Sequence, residues 1–138
     1  MTEMMETAER FFDACETGGG WEQCREYCHP DATFASQAGA LKGIDNLSDY
    51  TDWMRGQFGP LPTGHAEVRS FAVDEARSKV VVFGIFHGTH TADGGPVPPT
   101  GKTMASDYVY DLYFEDGKIQ HVTKIWHDTA AMHQLGWI

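Results

Sequence analysis

MASDYVYDLYFEDGKIQHVTKIWHD, residues 104–128, reads as two strands joined by a tight turn. Apolar and aromatic residues alternate with polar ones on either side of Phe114-Glu115-Asp116-Gly117-Lys118. The Asp-Gly pair suits a two-residue hairpin, because glycine accepts the positive φ that such a turn demands. The expected strands run from Met104 to Glu115 and from Lys118 to Asp128.

Working outward, two further stretches, His65 to Val73 and Lys79 to Thr91, show the same strand-like period between turn-rich segments. Four consecutive strands follow, in an antiparallel meander. The connection from Ala92 to Thr100 holds Gly94, Gly95, Pro96, Pro98 and Pro99 and should be a stiff, ordered loop at a pocket rim or subunit interface.

Before Pro62 the period is helical. Met5, Ala8, Phe11, Phe12 and Cys15 share one face of a helix over Thr2 to Glu16, which Gly18-Gly19-Gly20 stops. Trp21 to Cys28 makes a short second helix that His29-Pro30 ends. Asp31-Ala32-Thr33-Phe34 is a brief strand, and Ile44 to Phe58 a third helix. Thr129 to Leu135 closes the pattern as a short helix. The class is α+β: three N-terminal helices and a short C-terminal helix on a cone-shaped, strongly curved antiparallel sheet. Residues 1–138 form one domain, since a core of this length does not divide.

Composition narrows the partners. A formal charge of −10 repels phosphate backbones and anionic lipid surfaces, so nucleic acid and membrane are excluded. The longest apolar run, Val80 to Phe86, is strand-length and interrupted by Gly84. The opening residues carry Glu3, Glu6 and Glu9 where a secretory signal needs a basic patch and an apolar run, which points to the cytoplasm. Cys15, Cys24 and Cys28 are an odd, small set and read as reduced, buried thiols.

Several segments resemble the SnoaL-like polyketide cyclases, within the superfamily of nuclear-transport-factor-two-like and ketosteroid-isomerase-like folds. They are His29-Pro30-Asp31-Ala32, Gly88-Thr89-His90-Thr91, Pro98-Pro99-Thr100-Gly101-Lys102, Asp116-Gly117-Lys118-Ile119 and Gln134-Leu135-Gly136. The resemblance implies a homodimer with a hydrophobic pocket in each subunit, no metal or organic cofactor, and aldol-type closure of a polyketide ester ring. It also implies a catalytic aspartate on the last strand, four residues after a tryptophan and seven before a glutamine. Here His127 stands seven residues before Gln134, and Ala130 four after Trp126.

The candidate catalytic residues are Asp128, His127 and His121. Strand alternation puts His121, Thr123, Ile125 and His127 on one face and Trp126 with Asp128 on the other, and only one set can face the cone. An inward Asp128 would have its pKa raised by apolar walls, suiting a proton shuttle; the alternative is a cap on the last helix. Inward histidines would exchange protons near neutrality without special tuning. His90, Tyr110, Trp53, Tyr27 and Trp126 are the candidate ligand-binding residues, with the Tyr110 hydroxyl suited to a substrate carbonyl. No metal is expected, because the histidines lack His-x-His or His-x3-His spacing. The reading is a cyclase or isomerase of a small hydrophobic carbonyl compound, using general acid–base catalysis; its rival is a non-catalytic small-molecule-binding protein.

Overall fold

A computed structural model describes residues 2–138. The helices are α1 (Glu3–Glu16), α2 (Gly20–Cys24), α3 (Leu47–Gln57) and α4 (Asp128–Leu135). The strands are β1 (Cys28–Ser36), β2 (His65–Asp74), β3 (Lys79–Thr89), β4 (Thr103–Glu115) and β5 (Lys118–Trp126). They form one five-stranded sheet in the order β1-β5-β4-β3-β2. Among the described residues no helix is long and apolar enough to cross a membrane.

The hairpin between β4 and β5 turns as its sequence dictates: Asp116 and Gly117 both have positive φ, 49° and 79°. The meander from β2 to β5 is antiparallel throughout. The expected Asp31–Phe34 strand is longer, and it pairs parallel to β5, with Thr33 opposite His121 and Ser36 opposite Lys124. Cys28 opens this strand instead of closing a helix. The second helix ends at Cys24 and tightens into a 3₁₀ turn over Arg25–Tyr27. Pro30 is tolerated because the ladder shifts register between Cys28 and Thr33, on an outer strand where a missing donor breaks no bond. The third helix starts at Leu47, later than Ile44, because Asn46 Oδ1 accepts from Asp49 N at 2.8 Å and caps it.

Three register shifts, in β1 against β5, β2 against β3 and β4 against β5, increase the sheet's curvature. The last decides which side chains face inward. Tyr113 pairs with His121 and Phe114 with Ile119, leaving Gln120 unmatched. One extra residue reverses the alternation beyond it. Ile119 is therefore buried, and after Gln120 the inward set is Val122, Lys124 and Trp126, while His121, Thr123 and Ile125 turn to the outer face.

The concave face packs on the helices. Ala8, Phe11, Phe12 and Cys15 of α1 and Leu47, Tyr50 and Met54 of α3 bury against Val80, Val82, Tyr110 and Leu112. Glu16 follows Phe12 by one helical turn and so enters the same buried stripe. Cys15, Cys24 and Cys28 are free and buried.

Candidate active site

Between the mouth of the cone, α3 and α4 lies a cavity of about 50 Å³. Its walls are apolar or aromatic, including Trp53, Met54, Leu61, Phe86, Met104, Tyr108, Trp126, Met132 and Trp137; Glu16 and Lys124 are the charged side chains among them. Ligand sites commonly measure about 300–1,000 Å³, so this one holds a small molecule unless its walls move. Three of those walls are methionines, whose unbranched side chains repack readily.

Lys124 is 5% exposed, two residues before Trp126 on the same face of β5. Its Nζ lies between five rings: Trp126 at 4.5 Å from the centroid, Tyr108 at 5.2, Tyr50 at 5.3, Trp53 at 5.5 and Tyr110 at 5.6. Trp126 is fixed by its Nε1, which donates to Ser106 Oγ at 2.7 Å, and Trp53 meets it edge to face. Gly84 makes room for Tyr108, since a Cβ there would stand 3.2 Å from the Tyr108 Cζ.

The polar groups of the cage form a chain with one direction. Lys124 Nζ donates to the Tyr50 hydroxyl at 3.0 Å, and the Tyr110 hydroxyl donates to Glu16 Oε2 at 3.0 Å. Tyr50 and Tyr110 hydrogen-bond to one another. With the Tyr110 proton committed to Glu16, Tyr50 is the donor in that bond. Glu16 Oε1 and the Tyr108 hydroxyl are buried without a partner. Such groups cost about 1–3 kcal/mol each unless something satisfies them, and both belong to residues of the cavity wall.

Burial sets the electrostatics. It lowers the Lys124 pKa to about 8, with the Glu16 carboxylate partly opposing. It raises the Glu16 carboxyl above its usual range, with Lys124 opposing, and pushes up the hydroxyls of Tyr50, Tyr108 and Tyr110. Among the described residues the ion pairs are Arg69–Glu67, Arg77–Asp74, Lys79–Asp111 and His87–Glu67, and Lys124 takes part in none.

Residues 6–135 match the family described as SnoaL-like polyketide cyclase, and that match spans nearly the whole chain. The chain belongs to the SnoaL-like polyketide cyclase family. A relative, the aklanonic acid methyl ester cyclase AcmA of Streptomyces galilaeus, is 24% identical over 99% of this chain and 92% of its own. Among solved structures, IdmH of Streptomyces antibioticus, a proposed polyketide cyclase, superposes with a TM-score of 0.79 at 21% identity, covering 98% of this chain and 99% of that one. A SnoaL-like protein of Jannaschia sp. CCS1 gives 0.78 at 21% identity, over 96% and 91%. These structural likenesses establish the fold: four helices on a curved, unclosed five-stranded sheet.

On this SnoaL-like frame the expected site residues divide. Trp53 and Trp126 line the cavity, and Tyr110 stands behind it in the proton chain. His127 is exposed, and its Nδ1 accepts from Ala130 N at 3.0 Å, so it caps α4. Asp128 is not that cap: it is buried, and its Oδ2 accepts from Ala40 N at 2.7 Å, clamping the turn before α3 to the start of α4. Both border an open surface groove beside the end of β1. His121 lies on the outer face, 2.7 Å from Thr33 Oγ1. Tyr27 is half-buried beside Arg10 and Arg25, on the far side of α1.

His90 is fully buried at the rim, where its Nδ1 accepts from Trp137 Nε1 at 2.9 Å and from Thr100 N at 3.3 Å. It ties the Pro-rich loop to the C-terminal residues and holds Trp137, which lines the cavity. Sequence reasoning passed over Lys124, Glu16 and Tyr50. For Glu16 a signal existed: an acid at helical spacing on the apolar face of α1.

Proposed function

We propose that the protein is a cyclase or isomerase of a small hydrophobic carbonyl compound, acting by general acid–base catalysis in the cavity behind Trp53 and Trp126. The observation that carries this reading is the buried chain Lys124–Tyr50–Tyr110–Glu16 at an apolar wall. A lysine with lowered pKa can take a proton from the carbon beside a carbonyl, while a protonated Glu16 or the Tyr108 hydroxyl donates to the carbonyl oxygen. Because the chain links base to acid, a proton gained at one end is returned at the other without bulk water. The similarity to AcmA supports cyclisation as the class of reaction. No cofactor enters this scheme.

The test is α-hydrogen exchange of 2-butanone and cyclopentanone in D2O, followed by proton NMR. Exchange above the buffer rate is expected with the wild type, and Glu16→Gln should lower it by about 100-fold, in the range assigned to a positioned acid or base. Exchange at the buffer rate would leave the non-catalytic binder, a reading favoured by the lack of an acid at either position to which the family spacing points, His127 and Ala130.

Homodimerisation is part of the proposal. Phe83, Val109 and Ile125 are register partners in a row across the outer sheet face, and Ile125 is 63% exposed. An apolar row of this kind suits a second copy of the same sheet.

A further inference from the structure

We propose that Lys124 captures small apolar aldehydes and ketones covalently, as a protonated imine on Nζ inside the aromatic cage. The inference rests on the reading of the cavity as a carbonyl site and adds a bond to it.

Three features of the cage suit that bond. The amine lines the cavity, is buried and is engaged by no carboxylate among the described residues, so its one hydrogen bond, to Tyr50, leaves it available to a carbonyl carbon. The five rings that attract an ammonium also attract an iminium, whose positive charge is shared between that nitrogen and the carbon bonded to it. The directional chain through Tyr50 and Tyr110 supplies a path by which the ammonium proton reaches Glu16 Oε2.

The step balances. Lys124 ammonium gives one proton along the chain to the Glu16 carboxylate and becomes a neutral amine. Its lone pair forms the N–C bond while the carbonyl π pair moves to oxygen, which takes a proton from the nitrogen to give a carbinolamine. The Glu16 carboxyl returns its proton to that hydroxyl, the C–O bond breaks, and the nitrogen lone pair closes the C=N bond. The products are the iminium, one water and the Glu16 carboxylate, with no oxidation or reduction. Tyr108, whose hydroxyl has no partner, is placed to donate to the departing oxygen.

The charged and titratable groups facing Lys124 are Glu16 and Cys15 from α1, Tyr50 from α3 and Tyr108 and Tyr110 from β4. With a pKa of about 8, about a tenth of Lys124 is neutral at pH 7, against far less of an ordinary lysine.

The experiment uses the intact wild-type protein at pH 7, limiting propanal and sodium cyanoborohydride, with peptide mapping of the propylated lysines. Lys124 should be modified at least about tenfold faster than the exposed Lys42, Lys102 and Lys118, a difference that its larger neutral fraction supplies. Tyr50→Phe, which removes one hydroxyl from the chain, should slow that labelling about fivefold or more and leave labelling of the surface lysines alone. Labelling of Lys124 no faster than Lys102 overturns the inference, and so does indifference to Tyr50→Phe. The outcome also separates the two readings. Exchange of 2-butanone without trapping at Lys124 retains acid–base chemistry and removes the imine. Trapping without exchange retains the imine and removes proton transfer at carbon. Absence of both removes both.

Discussion

Lys124 makes stability depend on pH in a way that one substitution isolates. Its pKa falls from 10.5 to about 8 on folding, so between those values the unfolded chain binds more protons than the folded one. Stability from this group is therefore diminished at neutral pH and recovers as pH rises from about 8 to 10.5. Buried Tyr50, Tyr108, Tyr110, Cys15 and Cys28 have raised pKa values and act with the opposite sign, but they are present in both proteins. In paired denaturant titrations from pH 7 to 10.5, the stability of Lys124→Met relative to wild type should decline by up to about 3 kcal/mol. A constant difference would mean that the folded lysine titrates normally. The sequence conceals such a residue, because a lysine on a strand reads as solvated. Of the five rings that surround it, Trp53, Tyr110 and Trp126 were legible as candidate pocket walls.

At the scale of elements, the hairpin was legible because Asp116 and Gly117 carry their conformational requirement in their own chemistry. The strand after it was legible in length but not in facing. Strict alternation from Ile119 would bury His121 and His127, whereas the unmatched Gln120 exchanges the faces and buries Lys124 instead. A bulge has no fixed sequence signal, so parity counted along a strand fails beyond it. The start of α4 was displaced for a related reason. His127 caps the helix, and Asp128, freed from that role, reaches across to Ala40. Asp128→Ala leaves the Ala40 amide without its acceptor and should lower stability by about 1–3 kcal/mol in chemical denaturation. Asp128→Asn, whose amide oxygen can still accept, should recover most of that loss. Equal losses in the two variants would argue against the clamp.

For the whole molecule, the apolar row that ends at the exposed Ile125 on the outer sheet face carries the assembly prediction. The wild type should sediment as a dimer at micromolar concentration, and Ile125→Arg should sediment as a monomer with an unchanged circular dichroism spectrum. A monomeric wild type, or a dimer that survives the arginine, would remove the outer face as the interface. Fold class was legible at this scale because the helical periods of α1 and α3 precede Pro62 and the strand periods of the β2–β5 meander follow it. The parallel pairing of β1 was not, because nothing in Cys28–Ser36 names a partner about 90 residues downstream.

That pairing has a consequence for how the protein is made. The strand that β1 requires, β5, is translated after all the others, and every other strand lies between them in sequence. While the ribosome is still adding the meander, β1 has one edge with nothing to join, and the helices on either side of it have no finished sheet to cover. Local helix formation can proceed on the nascent chain, but closure of the cone waits until Trp126 has cleared the exit tunnel. Assembly of the cage around Lys124 then waits for β5, since α1, α3, β4 and β5 all contribute to it.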